Sequence, residues 1–210
     1  MTVPPIQKSV ADIAEGELVS ELVGDLHWRD FVLSIKGMPE RPRIMQQVPL
    51  AAAPGTAGGD IDVLLVSPGW PSEATAIEVK RIRFGAAAFR TGGQPNKLHE
   101  YRKGVSQANR LHCLGFHQVY LYVLVVVDSR EKNQGRVSYE GLSSEQESVV
   151  EATVSLADLH PTVGLVVCTF VQAMDHPPLT IGASGEDLKR LATPCTQPRG
   201  LTDWLVRVLE

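Results

Sequence analysis

Three charged residues on two neighbouring apolar segments are the residues of this sequence best suited to chemistry. Asp62 lies in the segment 59–66, and Glu78 and Lys80 lie in the segment 74–80. Both segments are rich in Ile, Val and Leu, and a stretch containing Pro and Gly separates them, a pattern typical of two strands joined by a turn. Side chains alternate between the two faces of a strand, so such a hairpin would set Asp62 opposite Glu78, with Lys80 on the same face.

Two carboxylates that converge in this way need a cation. At about 4 Å apart they repel by roughly 4 kcal/mol at an effective dielectric constant of 20, and each prefers to be hydrated. Mg²⁺ favours hard oxygen ligands from one or two carboxylates and leaves its other positions to water and substrate phosphate. A nearby lysine can orient or activate the attacking water. The pattern therefore predicts metal-assisted phosphodiester hydrolysis, with Mg²⁺ as the cofactor and Mn²⁺ able to replace it.

An Asp, a turn and then Glu-x-Lys on the following strand resembles the core signature of the PD-(D/E)XK nuclease superfamily, which includes restriction endonucleases and archaeal-type Holliday junction resolvases. The resemblance covers roughly residues 10–127. It implies that Asp62 and Glu78 bind one or two Mg²⁺ ions and that the backbone carbonyl of Val79 adds a ligand. It also implies that Lys80 supports the nucleophilic water.

Two features of the segment 59–66 leave alternatives open. Ile61 stands where the superfamily signature has proline. Asp60 lies on the same face of the strand as Asp62 and is the alternative candidate for the first metal ligand, although it lies next to two glycines. A Glu-x-Lys pair on a strand face is also commonly an ordinary solvated ion pair, and it is the preceding Asp and the surrounding elements that favour catalysis.

The N-terminal segment predicts an amphipathic helix with Glu15 in an apolar stripe. The stripe consists of Ala14, Leu18, Val19, Leu22 and Leu26. A carboxylate within such a stripe is costly unless it has a partner. Resolvases of the superfamily carry a Glu on their first helix that reaches the metal site, in a Glu-x-Glu-Leu-Val setting, which residues 15–19 resemble. Glu15 is therefore the fourth candidate catalytic residue, and the alternative is a helix start with Glu15 in water.

Basic residues are concentrated directly after the candidate site. The chain has a formal net charge of −4, yet residues 80–110 contain eight basic residues and only one acidic residue. Such a stretch could neutralise several phosphates and would make binding strongly dependent on salt. The candidate nucleic-acid-binding residues are Arg81, Arg83, Arg90, Lys97 and Lys103. The alternative is a solvated loop and helix face.

The remaining pattern alternates strands and helices. Strands are predicted at 119–127 and 163–171, and helices at 97–116, 143–159 and 201–209, with a loop at 85–96. Ser143 or Ser144 would cap the second of these helices, with Glu147 as the capping-box partner. The expected fold is α/β, a restriction-endonuclease-like core with a mixed central sheet and helices on both faces. It is expected to form a single domain over 1–210, with 173–210 as an irregular C-terminal extension ending in a short helix.

Several other classes of protein are disfavoured by what the sequence lacks. No signal peptide or membrane-spanning run is present, so a cytoplasmic protein without a membrane partner is expected. Cys113, Cys168 and Cys195 are far apart, and neither they nor the six His residues have zinc-ligand spacing. Gly-x-Ser-x-Gly and Walker-type loops are also missing, which disfavours α/β-hydrolases and nucleoside triphosphatases.

The sequence therefore predicts a Mg²⁺-dependent nuclease that acts on nucleic acid, DNA in preference to RNA. The first alternative is a non-catalytic nucleic-acid-binding or assembly subunit of a multi-component defence or repair complex. A second alternative is an enzyme that acts on RNA or on a small phosphorylated ligand. A homodimer or a protein partner is compatible with each of these functions.

Overall fold

The computed structural model describes residues 9–24, 42–51, 53, 58–67, 69–96, 98–133, 141–172 and 183–210. Within these residues six strands form one mixed sheet. The strands are Arg43–Pro49 (β1), Asp60–Ser67 (β2), Trp70–Phe84 (β3), Gln118–Asp128 (β4), Gly164–Gln172 (β5) and Ala183–Arg190 (β6). The helices are Glu15–Gly24 (α1), Ala86–Thr91 (α2), Leu98–Leu114 (α3), Arg130–Asn133 (α4), Ser144–Thr153 (α5) and Arg199–Leu209 (α6), preceded by the 3₁₀ turn Val10–Asp12.

Strand order in the sheet follows the order of the sequence, β1-β2-β3-β4-β5-β6. Strand β2 is antiparallel to both of its neighbours, β1 and β3. Strands β3, β4 and β5 are parallel, and β6 is antiparallel to β5. Strand β3 has 15 residues and β2 has eight, and Val63 of β2 pairs with Ile77 of β3. Because β2 begins at Asp60, β3 extends beyond it, while β4 accompanies β3 as far as Phe84.

Both faces of the sheet are covered. Every residue of β4 is buried, and its side chains alternate between two separate apolar clusters. One cluster joins the sheet to helices α3, α5 and α6, and the other joins it to α1 and to the 3₁₀ turn. A strand buried on both faces is expected to be nearly all apolar, as β4 is between its terminal residues Gln118 and Asp128. The predictions of an α/β fold and of a mixed sheet flanked by helices are confirmed.

Two strands of the sheet were not predicted, since neither has a clear apolar pattern. β1 is largely exposed or half-buried, and the sequence of β6 is mostly polar. Strand β6 and helix α6 lie in the segment 173–210, which was expected to be an irregular extension apart from its last helix. Residues 173–182 lie outside the described part of the chain.

Helix boundaries also differ in places from the expected ones. Ser143 does cap α5, but its capping-box partner is Gln146 rather than Glu147. The predicted loop at 85–96 contains the short helix α2. On α1, Leu18, Val19 and Leu22 are buried as expected, whereas Ala14 precedes the helix and is exposed. Leu26 lies outside the described residues.

Candidate active site

The free edge of β3 is where the candidate site forms. The backbone N–H of Val79 donates to Asp62 Oδ2 at 2.7 Å, and the backbone N–H of Arg81 donates to Glu15 Oε2 at 2.9 Å. Two residues further along, Arg83 exchanges backbone hydrogen bonds with Asn96. Side-chain carboxylates thus take up backbone donors along the edge where β2 no longer accompanies β3. Pairing a buried N–H in this way avoids the penalty of an unsatisfied donor.

The ammonium group of Lys80 lies among four oxygen atoms. Its Nζ is 2.6 Å from Glu78 Oε1, 2.8 Å from the carbonyl oxygen of Val79, 3.5 Å from Glu15 Oε1 and 3.9 Å from Asp62 Oδ2. We call these five residues the Lys80 site. Three different elements supply them: the start of α1, the start of β2 and the middle of β3. The structure therefore brings Glu15, 65 residues away in sequence, to the same point as the hairpin residues.

Burial differs sharply across the Lys80 site. The side chain of Glu78 is 1% exposed and that of Lys80 is 8% exposed, whereas Asp62 and Glu15 are 28% and 33% exposed. The buried half of the site faces α3, where Gly104 lies against the stem of Lys80. The partly exposed half faces solvent at the β3 edge. A ligand would therefore approach from the side of Asp62 and Glu15.

The electrostatics of the site follow from this burial. Burial raises the pKa of Glu78 to about 8, and the nearby charge of Asp62 adds to the increase. The pKa of Asp62 is also raised, because burial outweighs its hydrogen bond from Val79 and the charge of Lys80. Burial alone would lower the pKa of Lys80, but the surrounding carboxylates, Glu78 foremost, raise it instead. Lys80 is therefore an ammonium ion at neutral pH, in a site that has an excess of carboxylates.

The donor atoms of this site fit a hard divalent cation. Asp62 and Glu78 offer carboxylate oxygens and Val79 offers a carbonyl oxygen, the kinds of ligand that Mg²⁺ binds. Glu78 Oε1 is buried 2.6 Å from Lys80 Nζ, so it already faces a positive charge, and a bound cation would take the place of that contact. In the described residues no group of three or more His, Cys, Asp or Glu side chains is arranged to hold a metal ion. Any cation here would rely on two carboxylates, the carbonyl and water.

Asp62, rather than Asp60, lies at the site. The register that pairs Val63 with Ile77 brings Asp62 opposite Glu78 at the next position. Asp60 is exposed and pairs across the sheet with Pro49 of β1 instead.

The basic residues proposed to contact nucleic acid are distributed over several surfaces. Arg90 and Lys103 are exposed and form ion pairs with Glu131 and Glu100. Arg83 is half-buried, and its Nη1 donates to the carbonyl oxygen of Ala11. Arg81 is 4% exposed and lies on the face of β3 opposite Lys80, so its guanidinium is not on the surface. Lys97 lies outside the described residues.

Sequence reasoning missed two residues that shape the site. Gly104 is buried in the middle of α3 and provides the space that the Lys80 stem occupies. A lone glycine within a helical pattern is a recognisable signal of close packing. Asn96 extends the edge of β3 by exchanging backbone hydrogen bonds with Arg83. No signal in the sequence marks that contact, because any residue other than proline could make it.

Comparison with known proteins leaves the geometry as the basis for assigning a function. No protein-family model and no curated protein sequence matches the chain. Within the described part of the chain, none of the helices has the length and apolar character needed to cross a membrane.

Proposed function

We propose that this protein is a divalent-metal-dependent nuclease of the PD-(D/E)XK superfamily that cleaves DNA. The observation that carries the proposal is the convergence of Asp62, Glu78 and the carbonyl of Val79 around the Lys80 ammonium. Two carboxylates, a carbonyl and a lysine at a partly open strand edge are suited to metal-assisted hydrolysis of a phosphodiester. The mixed sheet with helices on both faces supports the restriction-endonuclease-like core that this proposal requires.

Each residue of the site has a defined role in this proposal. Asp62, Glu78 and the Val79 carbonyl would hold the cation, which when bound would polarise a phosphoryl oxygen and acidify a water molecule. Lys80 would place a positive charge beside that water and stabilise the hydroxide nucleophile. Glu15 positions both Lys80, through its Oε1, and the edge of β3, through the Arg81 N–H. The reaction adds one water to the diester, so that one P–O bond forms as another breaks.

The choice of a nucleic acid as substrate rests on charge, and the preference for DNA rests on the proposed superfamily. Residues 80–110 carry a net positive charge within an acidic chain, and the stretch begins at the site itself. On α3 the exposed cations include Arg102, Lys103 and Arg110, and this helix packs directly against Lys80. Cations beside a phosphodiester site attract a polyanion and make its binding dependent on ionic strength.

The test is cleavage of supercoiled, linear duplex and single-stranded DNA, with RNA alongside, in Mg²⁺, Mn²⁺ or EDTA. The wild-type chain is compared with Glu78→Gln and Lys80→Met, which preserve side-chain volume, and with Asp60→Asn as a matched control outside the site. We expect metal-dependent products from the wild type and the control and none from the two site variants. If the wild type gives no cleavage products from any of these substrates, the nuclease proposal is refuted.

The same experiment tests the alternative of a non-catalytic nucleic-acid-binding or assembly subunit. That alternative predicts salt-dependent retention of DNA by all four proteins without cleavage by any of them. Preferential cleavage of RNA would instead keep the hydrolytic mechanism and change the substrate. Because Asp60→Asn and Glu78→Gln each replace a carboxyl group by an amide, a change common to both variants would not be specific to the site.

A further inference from the structure

Arg81 is a buried cation, and most of its guanidinium has no partner among the described residues. The residue is 4% exposed, and in this part of the chain its Nε and Nη1 atoms are both buried without a hydrogen-bond partner. Its neighbour in the register on β4 is the apolar Leu124. Its backbone N–H is satisfied by Glu15, but that bond uses none of the side-chain donors. A buried guanidinium loses its hydration, and in proteins a paired anion normally compensates for that loss.

Arg83 extends this unpaired region toward solvent. It lies two residues further along β3 and therefore on the same face as Arg81. Its Nη1 donates to the carbonyl oxygen of Ala11 at 3.1 Å, whereas its Nε is buried and has no partner within the described ranges. Its side chain is 30% exposed, so the pair of guanidinium groups leads from the interior to the surface. Arg81 and Arg83 are two residues apart on one strand face, so their positive charges lie near each other. Burial and, after it, the charge of Arg83 lower the pKa of Arg81.

We infer that Arg81 and Arg83 form a binding site for a phosphate group on the side of β3 opposite Lys80. Three guanidinium nitrogens, Nε and Nη1 of Arg81 and Nε of Arg83, have no hydrogen-bond partner among the described residues. They match the oxygens of a phosphate, which Arg binds in a planar, bidentate manner. A bound anion would also remove the repulsion between the two cations. As a subsite for the substrate of the Lys80 site, the inference rests on the proposed nuclease function, while phosphate binding itself does not.

Two carboxylates limit how strongly this site can bind an anion. Asp12 Oδ1 is 3.8 Å from Arg83 Nη1, and the charge of Glu15 also acts on Arg81. Asp12 is 68% exposed, so its interaction with Arg83 is weakened by solvent. Replacement of Asp12 by asparagine should therefore strengthen phosphate binding without disturbing the core. Glu15 is held by Lys80 and the Arg81 N–H, and it links the phosphate site to the Lys80 site.

The experiment measures binding in EDTA, so that no cleavage occurs. Inorganic phosphate is titrated by calorimetry, and oligonucleotides with a 5′-phosphate or a 5′-hydroxyl are titrated by fluorescence anisotropy. We expect Arg81→Met to weaken binding of at least one of these ligands by about tenfold or more, the equivalent of one charge-assisted hydrogen bond or more. Arg199→Met is the control, because Arg199 on α6 is 95% exposed and pairs with Asp203 of the same helix.

The pattern across ligands identifies the source of the phosphate. If Arg81→Met loses binding of the 5′-phosphate oligonucleotide alone, the site binds a terminal phosphate. Equal loss for both oligonucleotides indicates an internal phosphodiester. Loss for inorganic phosphate alone indicates a free anion. Each supports the phosphate site. Unchanged binding of all three ligands to Arg81→Met would overturn it.

Folding and function are separated by further variants. Removing an unpaired buried charge should not unfold the chain, so thermal melting of Arg81→Met is expected at or above the wild-type temperature. Arg81→Lys keeps the charge but loses the planar fork, and it should bind phosphate more weakly than the wild type. Glu78→Gln should retain phosphate binding. If the chain binds phosphate through Arg81 but cleaves nothing, only the nuclease proposal fails, and cleavage without Arg81-dependent binding refutes the phosphate site alone.

Discussion

Gly104 of helix α3 lies directly against the aliphatic stem of Lys80. A Cβ atom at position 104 would stand 2.4 Å from Lys80 Cγ and 3.0 Å from Leu121 Cδ1, closer than non-bonded carbon atoms approach. Glycine in the middle of a helix is unfavourable by roughly 1 kcal/mol relative to alanine. Helix α3 nevertheless has glycine at the position where it packs against Lys80, the positively charged residue of the site.

Gly104→Ala should therefore damage the site more than the fold. Overpacking is expected to destabilise the protein by about 1–3 kcal/mol, partly offset by the better helix propensity of alanine. Metal-dependent cleavage should fall by roughly tenfold to a hundredfold, because the Lys80 stem must shift. Gly24→Ala is the control, since Gly24 ends α1 and no atom of the described residues lies within 4 Å of a Cβ placed there. Cleavage assays measure the loss of activity, and urea unfolding measures the loss of stability. Wild-type activity in Gly104→Ala would show that close packing at position 104 is not needed to position Lys80.

Much of the Lys80 site was predictable from sequence because a strand has a fixed period of two. That period set Asp62 opposite Glu78 with Lys80 on the same face, and the structure shows this register. Glu15 was predictable for a different reason, since a carboxylate within an apolar helix stripe requires a partner. The partners proved to be the Lys80 ammonium and a backbone N–H of β3.

The rest of the site depends on contacts that no local pattern encodes. Gly104 within a helical pattern indicates close packing, but the sequence does not report that the side chain packed there is Lys80, because this depends on how the helix lies on the sheet. Strand β6 is an edge strand whose polar sequence, ASGEDLKR, lacks an apolar run, so its pairing with β5 could not be foreseen. The burial of Arg81 was missed because its charge favoured a surface position, although its parity already set it opposite Lys80.

Glu15 is expected to contribute by its hydrogen bond as well as by its charge. Glu15→Ala leaves the Arg81 N–H without its acceptor and should destabilise the protein by about 1–3 kcal/mol. Glu15→Gln keeps an acceptor oxygen and should cost less than the alanine variant, while cleavage still falls because Lys80 loses a neighbouring charge. Glu21→Ala, at an exposed position of the same helix, is the control. Equal stability of the alanine and glutamine variants in urea unfolding would show that the hydrogen bond is unimportant.

The raised pKa of Glu78 predicts how stability depends on pH in EDTA. In the folded protein the pKa is about 8, against 4.5 for an unperturbed glutamate, so the folded state binds the proton more tightly than the unfolded state. Its contribution to stability is complete below pH 4.5 and is lost as the pH rises toward 8. Glu78→Gln should remove this part of the decline, whereas Glu147→Gln, at an exposed position of α5, should not. Urea unfolding from pH 5 to 9 gives the slopes, and parallel slopes for Glu78→Gln and the wild type would contradict the assignment.

Lys80 and a divalent cation should compete for the same oxygens. Nζ lies 2.6 Å from Glu78 Oε1 and 2.8 Å from the Val79 carbonyl oxygen, two of the three proposed ligands. A cation bound there would be repelled by the ammonium, and the lysine would have to give up these contacts. Lys80→Met should therefore abolish cleavage and yet bind Mn²⁺ more tightly, by roughly tenfold if about 1.4 kcal/mol of repulsion is removed.

Calorimetric titration of Mn²⁺ into the two proteins separates this prediction from a purely structural role for the lysine. Lys103→Met is the control, because Lys103 is exposed and its ion pair with Glu100 lies on the surface of α3. If Lys80 merely held the site together, its replacement would leave the site disordered, and the affinity for Mn²⁺ would fall. Tighter Mn²⁺ binding by Lys80→Met, with no change in Lys103→Met, would instead show that the ammonium occupies the position of the metal. Metal binding by the wild type would then require Lys80 to move toward the water molecule that it is proposed to assist.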